Sequence, residues 1–443
     1  MPKDFHPGGE SNMNICMFTN TYLPHVGGVA RSVSSFAEDL QKRGLNVMIV
    51  APTFPTDEAH VEDHNVLRVP AVQNFNGSDF SVRIPIPLFI DKKIDEFRPH
   101  VIHSHHPFLL GDAAFRAASR RDLPLVFTHH TLYEQYTHYV FPESKVMKRL
   151  AIEIATVYAN LCTRVIAPSE SIARLIRERG VKKPIEIIPT GVDVDFFRSG
   201  DGISFRNSQG IPEDAFVIGH LGRLAPEKNL QYLAEAVIKA FEELPENTVF
   251  LVVGSGPSEK SITDMFKDAG LEERLVMAGK RKGRELADAY RAMDLFVFSS
   301  KSETQGLVLV EAMAAEVPVI ALDASGTRDI LEDGENGRLL PENADTEQFA
   351  RTIVDFFQNP HSGATWRKAA FETALKFSRD ATAKKLIRLY QSLPANVTRE
   401  GTGPEGTFPV WDELLKTVKA EWTLLTEKGD ALLKSVLQEF NQQ

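Results

Sequence analysis

Cysteine is nearly absent from this chain: of 443 residues, only Cys16 and Cys162 carry a thiol. Two thiols far apart in apolar segments make neither a disulfide framework nor a zinc site, and they suit a reducing, cytoplasmic compartment. Long apolar runs are missing as well. No stretch reaches the roughly 18–20 residues that a bilayer-crossing helix needs, which leaves peripheral contact at the inner face as the expected limit of any membrane association. Residues 1–12 lack the apolar centre of a signal peptide and read as a disordered extension. Basic charge is not in excess either. A net charge of −10 and a pI near 5.8 withhold the positive face that wholesale nucleic-acid binding requires.

The remaining composition, 43% hydrophobic and 25% charged, is that of a folded globular protein. The length suits two domains of roughly 150–200 residues each. Short, continuously apolar runs recur at 14–19, 47–51, 101–103, 125–128, 164–167 and 185–188. Helical patterns at 30–43, 111–120 and 144–162 lie between them. The rhythm breaks at 191–210, where glycine, serine and asparagine gather, so an interdomain linker is expected there. Apolar runs resume at 216–221, 249–253, 275–277, 295–299 and 319–322, separated by helical patterns at 230–244, 258–269, 284–292 and 306–315. The fold class expected is therefore α/β: two doubly wound, Rossmann-like parallel sheets facing across a cleft, with ligands at the carboxyl ends of the strands. The domains expected are 13–196, completed by a helix near 377–393, and 197–376. A glycine- and proline-rich linker, 394–409, then leads to an amphipathic helix over 410–440. Its acidic residues outnumber its basic ones, unlike a membrane-surface helix, so it reads as a packing or homodimer element.

Several groups along this framework can carry chemistry. Glu303 and Glu311 lie eight residues apart, the first on a loop and the second in the early turns of a helix. The loop carboxylate suits sugar hydroxyls, and the helix carboxylate suits a ribose diol. Between them, the backbone N–H groups of Gln305, Gly306 and Leu307 open a helix N-terminus that favours an anion. Arg223 and Lys228 follow a strand end at Gly222; a guanidinium fork and a compact ammonium together suit a diphosphate and its departing charge. Gly27 and Gly28, and the turn at Gly254, let a ligand approach backbone closely. His103, His105 and His106 follow one strand and His129 and His130 another, so both groups face the cleft. Asp193 and Asp195 mimic a metal motif, but their place favours a structural role, and metal-independent chemistry without a cofactor is expected.

Together these residues resemble the retaining glycosyltransferases of family 4, which have the GT-B fold. The resemblance covers roughly 14–393. It rests on the Gly27–Gly28 loop, Thr128-x-His130, PSE at 168–170, IPTGVD at 188–193, GR…EKN from Gly222 to Asn229, and the E-x7-E of Glu303 and Glu311. It implies that Arg223 and Lys228 hold the diphosphate of a nucleotide-sugar donor, Glu303 the transferred sugar and Glu311 the ribose. Gly28 is implied beside the phosphates, His130 beside the reacting sugar, and Lys280 and Arg281 near the base. Family enzymes retain anomeric configuration through same-face attack, with no dedicated protein base.

The segments HHTLYEQYTHYV (129–140) and SETQGL (302–307) are more narrowly similar to bacterial diacylglycerol α-glucosyltransferases and related lipid enzymes. That similarity implies UDP-glucose as donor and a lipid acceptor, with His106, Tyr133, Tyr136, His138 and Tyr139 on the acceptor side. Lys145, Lys148 and Arg149 could then approach an anionic bilayer, at about 1 kcal/mol per exposed charge. Two positions depart from the family pattern: Gln305, where many members have phenylalanine, and Glu316, where glycine is usual. The alternatives are transfer to a soluble or polysaccharide acceptor, a GT-B-shaped nucleotide-sugar epimerase, and a non-catalytic nucleotide-sugar-binding scaffold.

Overall fold

A computed structural model describes residues 13–397, apart from 25–26, 54–64, 73–81, 84–86, 136–144 and 302. Its first half is built on strands β1 (Asn14–Phe18), β2 (Asn46–Pro52), β3 (Val66–Val69), β4 (Ala71–Val72), β5 (Val82–Arg83), β6 (Val101–Ser104), β7 (Leu125–Thr128), β8 (Arg164–Ala167) and β9 (Ile185–Ile187). All but the small antiparallel β4–β5 pair form one parallel sheet, ordered β3-β2-β1-β6-β7-β8-β9. The second half contributes β10 (Val217–Leu221), β11 (Val249–Val253), β12 (Leu275–Gly279), β13 (Leu295–Phe298), β14 (Val319–Leu322) and β15 (Gly337–Leu340). These make a second parallel sheet, β12-β11-β10-β13-β14-β15. Their near-uniform burial follows from helices covering both faces, which is why the strands read as unbroken apolar runs.

In each sheet the strand order reverses once, between β1 and β6 and between β10 and β13. A crevice opens at such a reversal, outside the carboxyl ends of the strands. The loops after these four strands carry the Gly27–Gly28 turn, His105 and His106, Arg223 and Lys228, and Glu303.

The last described helix, Arg379–Gln391, returns to the first domain. Leu386, Leu389 and Tyr390 join its core, and Arg379 binds the buried carboxylate of Asp39 on the helix Gly28–Gln41 at 2.9 Å. The outgoing and returning chains cross side by side, with Val192 N–H donating to Phe377 O and Arg379 N–H to Val192 O. Gly191 permits that crossing, because a β-carbon there would lie 2.6 Å from Arg379 Cα and against the Thr382 hydroxyl.

The stretch expected as a linker differs. Asp193 and Asp201 cap two short helices, Val194–Arg198 and Gly202–Ser208, whose Val194, Phe197 and Phe205 are buried in the second-domain core. Its glycines permit close packing: a β-carbon at Gly200 or Gly202 would strike the helix Arg284–Arg291 and the residue that ends it. The proposed helix over 410–440 lies outside the described residues, as do Tyr136, His138 and Tyr139. Among the described residues, no helix is long and apolar enough to cross a membrane.

Candidate active site

The side expected to take the donor is built from two strand ends held together by backbone. Beyond β10, Gly222 N–H donates to Val253 O and Leu224 N–H to Ser255 O, so the loop lies flat against the turn after β11. Gly254, at φ 144°, is glycine because a β-carbon would collide with the Gly222 carbonyl oxygen. This presents Arg223 at the rim, half exposed, with its guanidinium on Glu227 at 2.8 Å. A single 3-10 turn, Pro226–Lys228, then directs Lys228 inward, and Ser299 Oγ donates to the Lys228 and Asn229 carbonyls at 3.1 and 3.0 Å. The Lys228 ammonium meets the Glu303 carboxylate, both largely buried. The cation and the acid predicted for phosphate and sugar thus share one point.

Lys280 and Arg281 follow β12, whose last residue accepts from Gly254 N–H at 3.0 Å. They therefore sit beside the Gly254 turn at the sheet edge. Lys280 is exposed, whereas Arg281 lies over the Phe205 ring and 3.8 Å from Glu285.

From Glu303 the chain docks onto the other domain. Thr304 Oγ1 donates to the His130 carbonyl at 3.0 Å, and Ser169 Oγ donates to the Thr304 carbonyl at 2.8 Å. The Gln305 amide donates to Thr190 O and accepts from Thr190 N–H, each at 2.8 Å. The buried Gln305 side chain is therefore an interdomain clasp, whereas the donor contact expected of Gln305 is that of its backbone N–H. Gly306, at φ 75°, turns the chain into the helix Leu307–Ala314, whose second turn carries Glu311. That carboxylate is buried and accepts from Tyr290 Oη and from Arg31 Nη2, both at 2.8 Å.

The first domain presents a different chemistry. Gly27 caps the helix Gly28–Gln41 in extended conformation with no side-chain partner, and a β-carbon on Gly28 would meet nothing within 4 Å. No contact with the described residues demands glycine at Gly28, and the space suits an approaching ligand. His130 Nε2 pairs with His105 Nδ1 at 2.9 Å, while His103 bridges Tyr390 Oη and Thr128 Oγ1 at 2.7 Å each. Burial holds all these rings neutral, with His103 and His106 lowered to about 3, His129 to about 4, and His105 and His130 well below the ordinary value. His106 Nδ1 accepts from Asn20 N–H at 3.1 Å, so this ring braces the loop after β1; an acceptor-side role must pass through that loop. The Tyr133 ring packs edge-on to Phe108 and His129, and its buried hydroxyl has no hydrogen-bond partner among the described residues.

Sequence reasoning missed Arg31 and Tyr290, and it quoted Thr190, Ser169 and Thr304 within motifs without giving them a role. For Arg31 a signal existed: it stands one helical turn beyond Gly28 and so shares the cleft-facing end of its helix. The others act across separations of more than 100 residues, or, for Tyr290, from a neighbouring helix.

Two opposed Rossmann-like lobes with this convergence define a GT-B architecture. The Anabaena protein HepE, solved with UDP, superposes with a TM-score of 0.70 over 86% of this chain and 100% of its own, at 21% identity. The model of Glycosyltransferase Family 4 matches residues 26–196, and that of Glycosyl transferases group 1 matches 203–373. Among curated relatives, the alpha-monoglucosyldiacylglycerol synthase of Acholeplasma laidlawii is 28% identical over 396 residues, covering 86% of this chain and 97% of the relative. The synthase of the same name from Streptococcus pneumoniae is 30% identical over 338 residues, covering 74% and 75%. The chain belongs to this glycosyltransferase family, and it is a glycosyltransferase.

Proposed function

We propose that the protein transfers glucose, with retention of anomeric configuration, from UDP-glucose to a diacylglycerol-type lipid at the inner membrane face. The observation that carries the catalytic part is the meeting of Lys228 with Glu303 on a loop whose next residue binds the His130 carbonyl. For the lipid part, support comes from relatives named for glucosyldiacylglycerol synthesis that match most of the chain.

In this reading, Arg223 and Lys228 bind the diphosphate, and Glu303 holds hydroxyls of the hexose. The acceptor oxygen bonds to the anomeric carbon as the bond from that carbon to the β-phosphate oxygen breaks. The electron pair leaves with the diphosphate, whose growing charge the two cations stabilise in a water-poor site. The acceptor proton passes to a departing phosphate oxygen on the same face. His105 and His130, neutral and engaged with each other, position the site and are not required as a base. No metal or other cofactor takes part in this scheme.

The test is a screen of UDP-glucose, other UDP-hexoses and GDP-mannose against dispersed diacylglycerol and against soluble acceptors, read by product mass and anomeric NMR. The expected product is an α-linked glucosyl lipid formed from UDP-glucose. Transfer only to soluble acceptors would remove the lipid assignment, and interconversion of donor without any acceptor would indicate an epimerase.

A further inference from the structure

The carboxylate of Glu311 is held from two directions. Tyr290, fully buried in the same domain, donates to one oxygen at 2.8 Å. Arg31, from the first helix of the opposite domain, donates to the other at 2.8 Å. The Glu311 side chain is 3% exposed and that of Arg31 45%. A carboxylate taken this far out of water needs a compensating cation, and among the described residues Arg31 is the one in ion-pair contact. That cation belongs to the lobe that must move if the cleft opens. Separation of the lobes would leave the Glu311 carboxylate held by Tyr290 alone, with its outer oxygen unconstrained.

We propose that Arg31 is a positioning residue for the donor ribose, completing from the first domain a subsite whose carboxylate lies in the second. The guanidinium fixes the outer oxygen of Glu311 only while the lobes are together. The ribose diol is therefore gripped firmly by the closed form and weakly by an open one. By linkage, a ligand that engages Glu311 must favour closure to the same extent. The effect lies in binding, because Arg31 acts through Glu311 and not on the bond that breaks. This inference rests on the reading of Glu311 as the ribose ligand.

The experiment compares binding of UDP, 2′-deoxy-UDP and 3′-deoxy-UDP to the full chain and to R31M, R31K and E311Q, by calorimetry. If GDP binds more tightly than UDP, its deoxy series replaces that of UDP. Loss of a ribose hydroxyl is expected to weaken wild-type binding about tenfold and R31M binding no more than about threefold, since the carboxylate is no longer oriented. R31M should raise the donor KM about tenfold with a smaller change in kcat, and R31K, a point charge without the fork, should recover part of the loss. Wild-type and R31M proteins that discriminate equally against the deoxy ligands, with E311Q indifferent to them, overturn the role of Arg31 alone. Absence of discrimination by the wild type overturns the ribose reading of Glu311, and this inference with it.

Discussion

The two lobes share a topology and differ in electrostatic character. At the reversal point of the second sheet stand ionised groups: Arg223, Lys228, Glu303 and, one helix turn deeper, Glu311. At that of the first stand buried imidazoles kept uncharged by desolvation. A fold fixes where a ligand can sit, while the charge placed there decides what it can do. The ionised lobe suits a substrate whose leaving group gathers negative charge. Its neutral counterpart suits an acceptor hydroxyl that needs orientation more than ionisation.

The largest effect expected from breaking this contrast comes from the ionised lobe. Lys228→Ala and Glu303→Gln should each lower kcat by about 100-fold, the range found when one preorganised charge partner is removed from an active site. Circular dichroism should stay near wild type, since both side chains stand on short loop and turn segments outside the hydrophobic cores. Turnover within threefold of wild type in either variant would contradict the assigned roles.

The neutral lobe has a thermodynamic signature instead. In the unfolded chain these histidines titrate near pH 6.5, whereas in the folded protein His103 and His106 are lowered to about 3 and His129 to about 4. As pH falls below 6.5, the unfolded chain takes up protons that the folded one excludes. Stability is thus full above pH 6.5 and is lost progressively towards pH 4, by up to about 1.4 kcal/mol per pH unit for each histidine. Denaturant midpoints from pH 7.5 to 5 should show this decline. His106→Asn, which removes one titrating group, should flatten it. A midpoint independent of pH over that span would mean that these rings are not buried as neutral groups.

The sheets were legible because strands covered on both faces must be apolar throughout; the runs at 125–128, 164–167 and 249–253 match β7, β8 and β11 residue for residue. Gly337–Leu340 was missed because an exposed arginine interrupts a short edge strand. The helix Glu170–Glu178 does leave a local signal, since Ser169 of the PSE motif supplies its cap. Within the site, the placing of Arg223, Lys228 and Glu303 just beyond strand ends was readable, since strand-end sequence is local. Partners such as Gln305 with Thr190, 115 residues apart, leave no local pattern.

That clasp provides a finer probe of the comparison, because it joins the lobes without charge. Gln305→Ala leaves the Thr190 N–H and C=O without their side-chain partner at a buried contact, a loss of about 1–3 kcal/mol. The expected outcome is a lower melting temperature with a raised donor KM. Gln305→Glu should be worse than alanine, since it sets a carboxylate oxygen against the Thr190 carbonyl. A variant of either kind with unchanged KM would separate the clasp from closure.

The smallest effect is expected at Glu316, the departure from family pattern that lies outside the cleft. Its φ of 61° is left-handed, a conformation that costs a side chain about 1 kcal/mol relative to glycine. The carboxylate offsets this by meeting Arg198 at 3.1 Å and Arg291 at 3.2 Å, tying the short helix after the domain crossing to the second-domain body. Partly exposed pairs of this kind contribute up to about 1 kcal/mol each. Glu316→Gly relieves the backbone and loses both pairs, so its stability should lie within about 0.5 kcal/mol of wild type, whereas Glu316→Ala keeps the strain and loses the pairs. A chemical-denaturation series should therefore place alanine below glycine, with turnover unchanged in both. The reverse order would show that the left-handed backbone does not govern this turn.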